Sequence, residues 1–304
     1  MQHIHYVTYA AIDKNKWDAC ISNAPNRLLY GFSFYLDAMA RHWDALVLND
    51  YEAVMPLVWN KKYFFHYLYQ PYFTACLGVF GTDINVATLN DFLHAIPNRF
   101  KYWDFYLNYG NLFAPANFEL YERINYVLPL YKSYEIIYSG YSSNIKRNIK
   151  KSVQAQHVIK KGADVDDVID LCKKQLQKHA SISDNEFVKF RKLYSLLLSF
   201  HKASTYAVFS AGGKLLASAV FFIDAARAYY ILAGNHPDGK TSGASHALID
   251  AFIKEYAGQN MVLDFEGSDV PNLAFFYSSF GALQENYPAI KLNRLPVLIK
   301  YFKK

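Results

Sequence analysis

Residues 262–282, VLDFEGSDVPNLAFFYSSFGA, read as a strand, a polar turn and a helix, and the rest of the chain is organised around them. The short apolar run from Met261 to Leu263 has the length and make-up of a buried strand. It ends on alternating acidic and apolar residues, Asp264, Phe265 and Glu266. Gly267, Ser268, Asp269 and Pro271 mark a turn, and residues 272–279 carry a helical apolar pattern stopped by Phe280-Gly281. Strand, polar turn and helix in that order place two carboxylates at a strand end, where an open sheet offers a crevice to ligands. Side chains alternate along a strand, so Asp264 and Glu266 are expected on one face and in one pocket. The competing reading is an edge turn with solvated acids.

The rest of the chain reads as an α/β (α+β) protein built twice. In the first half, a strand over residues 3–10 precedes helices over 14–22 and 33–41. A hairpin over 44–59 turns on Asn49-Asp50. Residues 63–80, YFFHYLYQPYFTACLGVF, read as one or two buried strands broken at Pro71, and a helix over 85–96 leads to a strand over 102–107. The second half replays this order, with helices over 165–179 and 185–200 and a strand pair over 205–222 turning on Gly212-Gly213. A strand over 228–233 and a helix over 244–256 then lead into the strand at 262. Asp104-Phe105 and Asp264-Phe265 lie 160 residues apart in matching strands, and Ala53 and Ala217 lie 164 apart in matching hairpins. A near-constant offset points to a duplicated unit. The expected division is 1–130 and 131–304, each a mixed, mostly antiparallel sheet flanked by helices.

Composition narrows the class. Hydrophobic residues make up 52% and charged residues 19%, enough apolar material for a core. The 26 Tyr and 23 Phe favour strands and aromatic-lined pockets. A net charge of +6 mildly favours an anionic partner such as coenzyme A, a nucleotide or RNA. The three cysteines, Cys20, Cys76 and Cys172, have no metal-ligand spacing, and their odd number argues against a disulfide framework. His236 and His246 have no companion at a ligand spacing either, so no metal is expected. No serine-hydrolase elbow, Walker loop or dinucleotide-binding glycine fingerprint occurs. No signal peptide opens the chain and no apolar run is long enough to span a bilayer, so a cytoplasmic protein is expected.

Two stretches suit an anion. In YSSNIKRNIKKS, residues 141–152, Ser142 or Ser143 caps a helix on which Lys146 and Lys150, and Arg147 and Lys151, are four residues apart. Like charges on one face are tolerable in water and useful opposite phosphates. In residues 235–252, Gly239 and Gly243 loosen a turn while Lys240, Thr241, Ser242 and Ser245 stand at a helix start. The N–H groups there can hold a pyrophosphate or carboxylate. A solvated face and a plain capped helix are the respective competing readings.

A Tyr four residues before a Gly on the helix after such a strand, Tyr277 and Gly281, resembles the C-terminal motif of GNAT-type N-acyltransferases. The run DFEGSDVPNLAFFYSSFGA is closer still to the FemABX-like branch, tandem GNAT proteins that transfer an amino acid from aminoacyl-tRNA to an amine of a peptidoglycan precursor. The basic start of the helix at 142–147 is also similar to that branch. The resemblance implies two tandem GNAT-like domains and N-acyl or aminoacyl transfer. Tyr277 would protonate the leaving group, and residues 239–245 would hold the donor's pyrophosphate. The GNAT loop begins with Arg or Gln, which this sequence lacks, and the coiled-coil insertion of many FemABX proteins is missing as well.

Acyl transfer also needs a proton acceptor for the amine and donors for the oxyanion. Glu266 or Asp264 is the candidate base, and N–H groups of strand 228–233 the candidate oxyanion donors. Lys146 and Arg147 are candidate contacts to an anionic donor, acyl-CoA or aminoacyl-tRNA. Tyr69, Gln70 and Tyr72, at the matching place in the first repeat, are candidates for the pocket of an amine acceptor such as a cell-wall precursor, amino sugar or peptide. An acyl-CoA-dependent N-acetyltransferase is the first alternative, and a non-catalytic binding protein on the same scaffold the second.

Overall fold

The structure, a computed structural model, describes residues 3–176, 182–267 and 269–296. Two compact units emerge, Met1–Arg123 with Asn286–Lys304, and Ile124–Glu285. In chain order the first half contains β1 (Ile4–Val7), α1 (Lys14–Asn23), α2 (Ser33–Met39), β2 (His42–Leu48), β3 (Ala53–Lys62), β4 (Phe65–Tyr69), β5 (Phe80–Gly81), α3 (Val86–Ala95) and β6 (Phe100–Tyr106). Next come β7 (Leu120–Pro129), α4 (Tyr134–Ser139), α5 (Ser143–Gln154), β8 (Val158–Lys161), α6 (Val165–Leu176) and α7 (Asp184–Ser199). The remainder is β9 (Ala203–Phe209), β10 (Leu215–Asp224), β11 (Arg227–Asn235), α8 (Pro237–Ser242), α9 (Ala244–Tyr256), β12 (Val262–Asp264), α10 (Pro271–Ser278) and β13 (Leu283–Asn293). The helix expected to reach residue 179 is α6, and residues 177–179 lie outside the described residues, as does Ser268 of the expected turn.

The first unit's sheet runs β1-β2-β3-β4-β6-β13, with β5 on β3. All neighbours are antiparallel except β4 and β6, which α3 connects as a parallel pair. Helix α3 starts where Asn85 accepts hydrogen bonds from the N–H groups of Ala87 and Thr88. It packs Leu89, Phe92 and Leu93 onto Leu46, Met55, Leu57 and Trp103 of the sheet. The expected buried strands over 63–80 need correction. Tyr63 and Phe64 form a two-residue turn after the Lys62–Phe65 pair and are 81% and 87% exposed. Aromatic content marked the strand but not the point where the chain reverses.

The second unit's sheet runs β7-β12-β11-β10-β9-β8, again antiparallel except for one crossover pair, β11 and β12, joined by α9. Both faces are covered. Successive residues of β10 point to opposite sides, so Phe221 stacks on Phe252 of α9 at 3.9 Å while Phe222 stacks on Phe190 of α7 at 5.5 Å. A helical turn, α8, stands where a Gly/Ser-rich loop was expected. Pro237 suits the first turn of a helix, and His236 accepts from the N–H of Asp238. Gly239 lets α8 lie on the sheet, since a Cβ there would fall 2.2 Å from the carbonyl oxygen of Leu216.

The two crossovers share one register. Tyr69 is opposite Asp104 in the first unit and Tyr229 opposite Asp264 in the second, each residue shifted by 160. The duplication is thus visible in backbone pairing as well as in sequence. The last strand runs from the second unit into the first, where its residues 289–293 pair with β6.

Candidate active site

The parallel pairing of β11 with β12 covers only Arg227–Val262, Ala228–Leu263 and Tyr229–Asp264. Beyond it β12 ends, whereas β11 continues to Asn235, so the two strands part. The register between β10 and β11 also shifts by one residue at Ile231, a bulge that re-aims the strand where it leaves its neighbour. A crevice between the carboxyl ends of parallel strands is the place an open sheet offers a ligand. At this point Tyr230 of β11 lies edge-on to Phe265 after β12 and to Tyr277 of α10, at 6.3 and 6.4 Å.

The three proposed catalytic residues occupy different sites around this opening. Asp264 is 4% exposed and accepts hydrogen bonds from Asn125 Nδ2 at 2.9 Å and from the Glu266 N–H at 2.8 Å. Arg227 donates to its other oxygen and holds Glu285 with two hydrogen bonds of 3.0 Å each. Burial works against the Arg227 charge, but Asp264 and Glu285 outweigh it and hold the guanidinium firmly protonated. With its acceptors engaged in this way, Asp264 has the surroundings of a positioning group. Sequence spacing missed Arg227, Asn125 and Glu285 altogether.

Glu266 does not continue the strand's alternation, which corrects the expected shared face. The pleat stops at Asp264, and Glu266 and Gly267 both adopt left-handed backbone, with φ of 66° and 81°. A non-glycine residue held there costs roughly 1–3 kcal/mol and persists only when its surroundings enforce it. Here Asp264 accepts from the Glu266 N–H, and Asn125 Oδ1 accepts from the Gly267 N–H at 2.6 Å. The turn thus carries the half-buried Glu266 to the side of Tyr277. Tyr277 is 8% exposed, stacked on Phe265 at 4.6 Å and edge-on to Tyr230 at 6.4 Å. Burial, reinforced by the negative charge of Glu266, pushes its phenol well above the usual range, so it stays a proton donor.

The two anion-binding stretches meet in the fold. Gly243, with φ of 81°, separates α8 from α9, and a Cβ there would fall 2.1 Å from the Asn148 carbonyl oxygen of α5. The cationic helix therefore lies across the start of α9. Ser142 is its cap, accepting from the Ile145 N–H at 3.4 Å. Lys146 donates to the Ser139 carbonyl at 3.0 Å and lies over the Tyr138 ring, and Arg147 donates to Asn144 Oδ1 at 2.8 Å. Lys150, Lys151 and Lys240 are exposed. The hydroxyls are already bonded within the protein: Thr241 and Ser242 both donate to the Asp238 carbonyl, and Ser245 to Asn235. An anion at this junction would meet backbone N–H groups and lysines rather than these hydroxyls.

His246, in the first turn of α9, is the residue to which spacing gave no role. Burial, aided by the charge of Lys151, pushes its imidazole down to about 4. Its Nδ1 is buried with no hydrogen-bond partner, and its ring lies edge-on to Phe276 at 5.0 Å. The native state thus holds a neutral imidazole, and stability linked to it is complete above an ordinary histidine pKa of about 6.5 and lost as pH falls toward 4. Urea unfolding of His246→Phe at pH 7 and pH 4.5 should show a smaller loss on acidification than the wild type. Parallel losses in both proteins would refute the assignment.

The matching crevice of the first unit is closed. Gln70, the counterpart of Tyr230, accepts from the Tyr106 N–H at 3.0 Å and donates to the Thr74 carbonyl at 2.8 Å. Leu77 bridges to Leu107, and the space between Leu68, Tyr69, Leu77 and Phe105 is only about 10 Å³. Tyr69 OH accepts from the Arg41 N–H at 3.2 Å, and Tyr72 is 49% exposed. Tyr106 stands where the second unit has Glu266, so the carboxylate occurs in one repeat alone.

Residues 139–271 match the family model of the acetyltransferase (GNAT) domain. That segment is a GNAT acetyltransferase domain. The structure of FemX aligns with it at TM-score 0.67 and 12% identity, over 99% of this chain and 100% of that one. A tandem GNAT protein from the clavulanic acid biosynthesis pathway aligns at TM-score 0.56 and 10% identity, over 97% and 99%. A conserved protein of unknown function from Bacteroides thetaiotaomicron aligns at 0.55 and 12%, over 92% and 93%. No curated protein sequence matches. The chain is thus an acyltransferase with the tandem GNAT fold, and the GNAT domain match contains the whole of β11, α9 and β12. Among the described residues no helix is long and apolar enough to cross a membrane, and no group of three His, Cys, Asp or Glu is placed to hold a metal.

Proposed function

We propose that the second unit moves an acyl or aminoacyl group from an anionic donor to an amine, in the manner of FemABX-like proteins. The single observation that supports this most is the opening between β11 and β12, with Glu266 beside a protonated, buried Tyr277 in one repeat only. In the proposed reaction the amine nitrogen attacks the donor's carbonyl carbon, and the N–C bond forms. N–H groups of β11 facing the opening take the negative charge of the tetrahedral oxygen. Glu266 accepts the proton released by the amine, and Tyr277 gives its proton to the departing thiolate or ribose oxygen as the bond to the carbonyl carbon breaks. Asp264 acts through the Glu266 turn as a positioning residue.

The junction of α5 with α9 is the proposed seat of the donor, with Lys146 and Arg147 shaping the helix and residues 239–245 offering N–H groups and Lys240. Aminoacyl-tRNA is the proposed donor and a cell-wall precursor the proposed acceptor, on the strength of the FemX-like fold. Acyl-CoA with an amino sugar or peptide is the second reading, favoured by the GNAT domain match. Tyr69, Gln70 and Tyr72 are retained as acceptor-side candidates, with Gln70 acting through backbone already bonded to it. Both donors are made in the cytoplasm, the proposed location, and 1–130 and 131–304 are the proposed repeat units.

A ligand that binds only the native state raises the melting temperature by mass action. Purified protein is therefore melted with coenzyme A, acetyl-CoA, long-chain acyl-CoA, charged tRNA and uncharged tRNA. Selective stabilisation by charged tRNA is the expected result. Stabilisation by a coenzyme A species alone would replace the donor assignment, and silence from all of them would favour a non-catalytic binding protein.

A further inference from the structure

A two-residue hairpin turn ordinarily carries Asn, Asp or Gly, which tolerate left-handed backbone. The turn between β3 and β4 carries Tyr63 and Phe64 instead. Tyr63 is held at φ of 54°, and the two rings are 81% and 87% exposed. Two large apolar groups in water, on backbone that disfavours one of them, are a cost with no return inside the unit. Such a site calls for an external occupant.

The register says what surrounds the turn. His42 is opposite Trp59, Lys62 opposite Phe65, His66 opposite Phe100, and Asn293 opposite Tyr102. One end of the first unit's sheet thus collects Arg41, Lys61, Lys62 and Lys101, while Arg294 lies over the Trp103 ring and Arg99 is tied to Asp44 at 3.1 Å. Residues 59–66, 99–102 and 292–296 contain no acid. Exposed aromatic rings at a hairpin turn, with the exposed Lys61 and Lys62 beside them, suit an interface that is apolar inside and negative at its surface.

We propose that the β3–β4 turn docks the protein on an anionic phospholipid membrane, inserting Tyr63 and Phe64 among the headgroups while Lys61 and Lys62 meet lipid phosphates. A projecting tip enters a deformable lipid surface, whereas base stacking wants a platform, so lipid is favoured over RNA. The docking is peripheral and independent of the proposed transfer chemistry.

The test is flotation of the full-length protein with phosphatidylcholine vesicles, with and without phosphatidylglycerol. Binding to the anionic vesicles alone is expected, weakened by salt. The double variant Tyr63→Asn/Phe64→Gly should melt at the same or a higher temperature, because it suits the turn, yet bind at least about tenfold more weakly. In a Phe64→Trp variant, anionic vesicles should shift the emission of the new indole to the blue. Equal flotation of wild type and double variant would overturn the proposal. So would an unshifted indole, or a loss confined to tRNA binding with vesicles ignored throughout.

Discussion

Asp264→Ala is expected to destabilise the protein by about 3–5 kcal/mol, because it removes one of the two carboxylates that compensate the buried Arg227 charge and orphans two further donors. The side chains of Arg227 and Asp264 are 12% and 5% exposed, so water cannot replace the lost carboxylate. Glu285 keeps its own two bonds to Arg227, but it does not reach the orphaned Asn125 amide or the Glu266 N–H. The left-handed turn at Glu266 and Gly267 should loosen with them. Urea unfolding measures the loss, and a cycle with Arg227→Met isolates the pair, because a variant lacking both charges should recover much of it. A loss below about 1 kcal/mol would show Asp264 to be replaceable by solvent. Turnover should fall with stability, which separates a positioning carboxylate from a base whose removal leaves the fold intact.

Tyr277→Phe makes the opposite prediction, a large kinetic effect with little change in stability. The ring keeps its stacking on Phe265 and its edge contact with Tyr230, so unfolding midpoints should barely move. Loss of a general acid costs typically 10²–10⁴ in turnover, about 3–5 kcal/mol of barrier. The effect belongs in kcat, with KM for the donor nearly unchanged, because the hydroxyl acts only as the leaving group departs. The sign of the pH dependence follows from the raised phenol. The acid form persists as pH rises through the ordinary phenol range near 10, so Tyr277 itself adds no alkaline limb below that pH. Unchanged turnover in Tyr277→Phe would remove it from the mechanism.

Much of the scaffold was legible from periodicity. The hairpin β2–β3, the strand pair β9–β10 and helix α9 fall where alternation, turn residues and apolar spacing put them. Glycine was legible as punctuation but not as function. Gly239 and Gly243 suggested a flexible phosphate loop, yet each permits a close backbone approach, to Leu216 and to Asn148. A missing side chain looks the same in sequence whether it serves a ligand or a packing contact. The closed crevice of the first unit was hidden for a related reason, since Gln70 reads as a free polar residue until its bonds to Tyr106 and Thr74 are seen.

The amino-acid sequence by itself determined the α/β class, the duplication with its offset of 160, and the placing of two carboxylates and a tyrosine after one strand. These depend on neighbours along the chain, and local periodicity carries them. Only the tertiary structure decided which carboxylate is locked in an ion pair, which lies on the side of Tyr277, and which repeat has its strand ends bridged. Arg227 reaches Asp264 across 37 residues, and Asn125 reaches the Gly267 N–H across 142. Contacts at such separations follow from how strands pair, and spacing along the chain does not encode them.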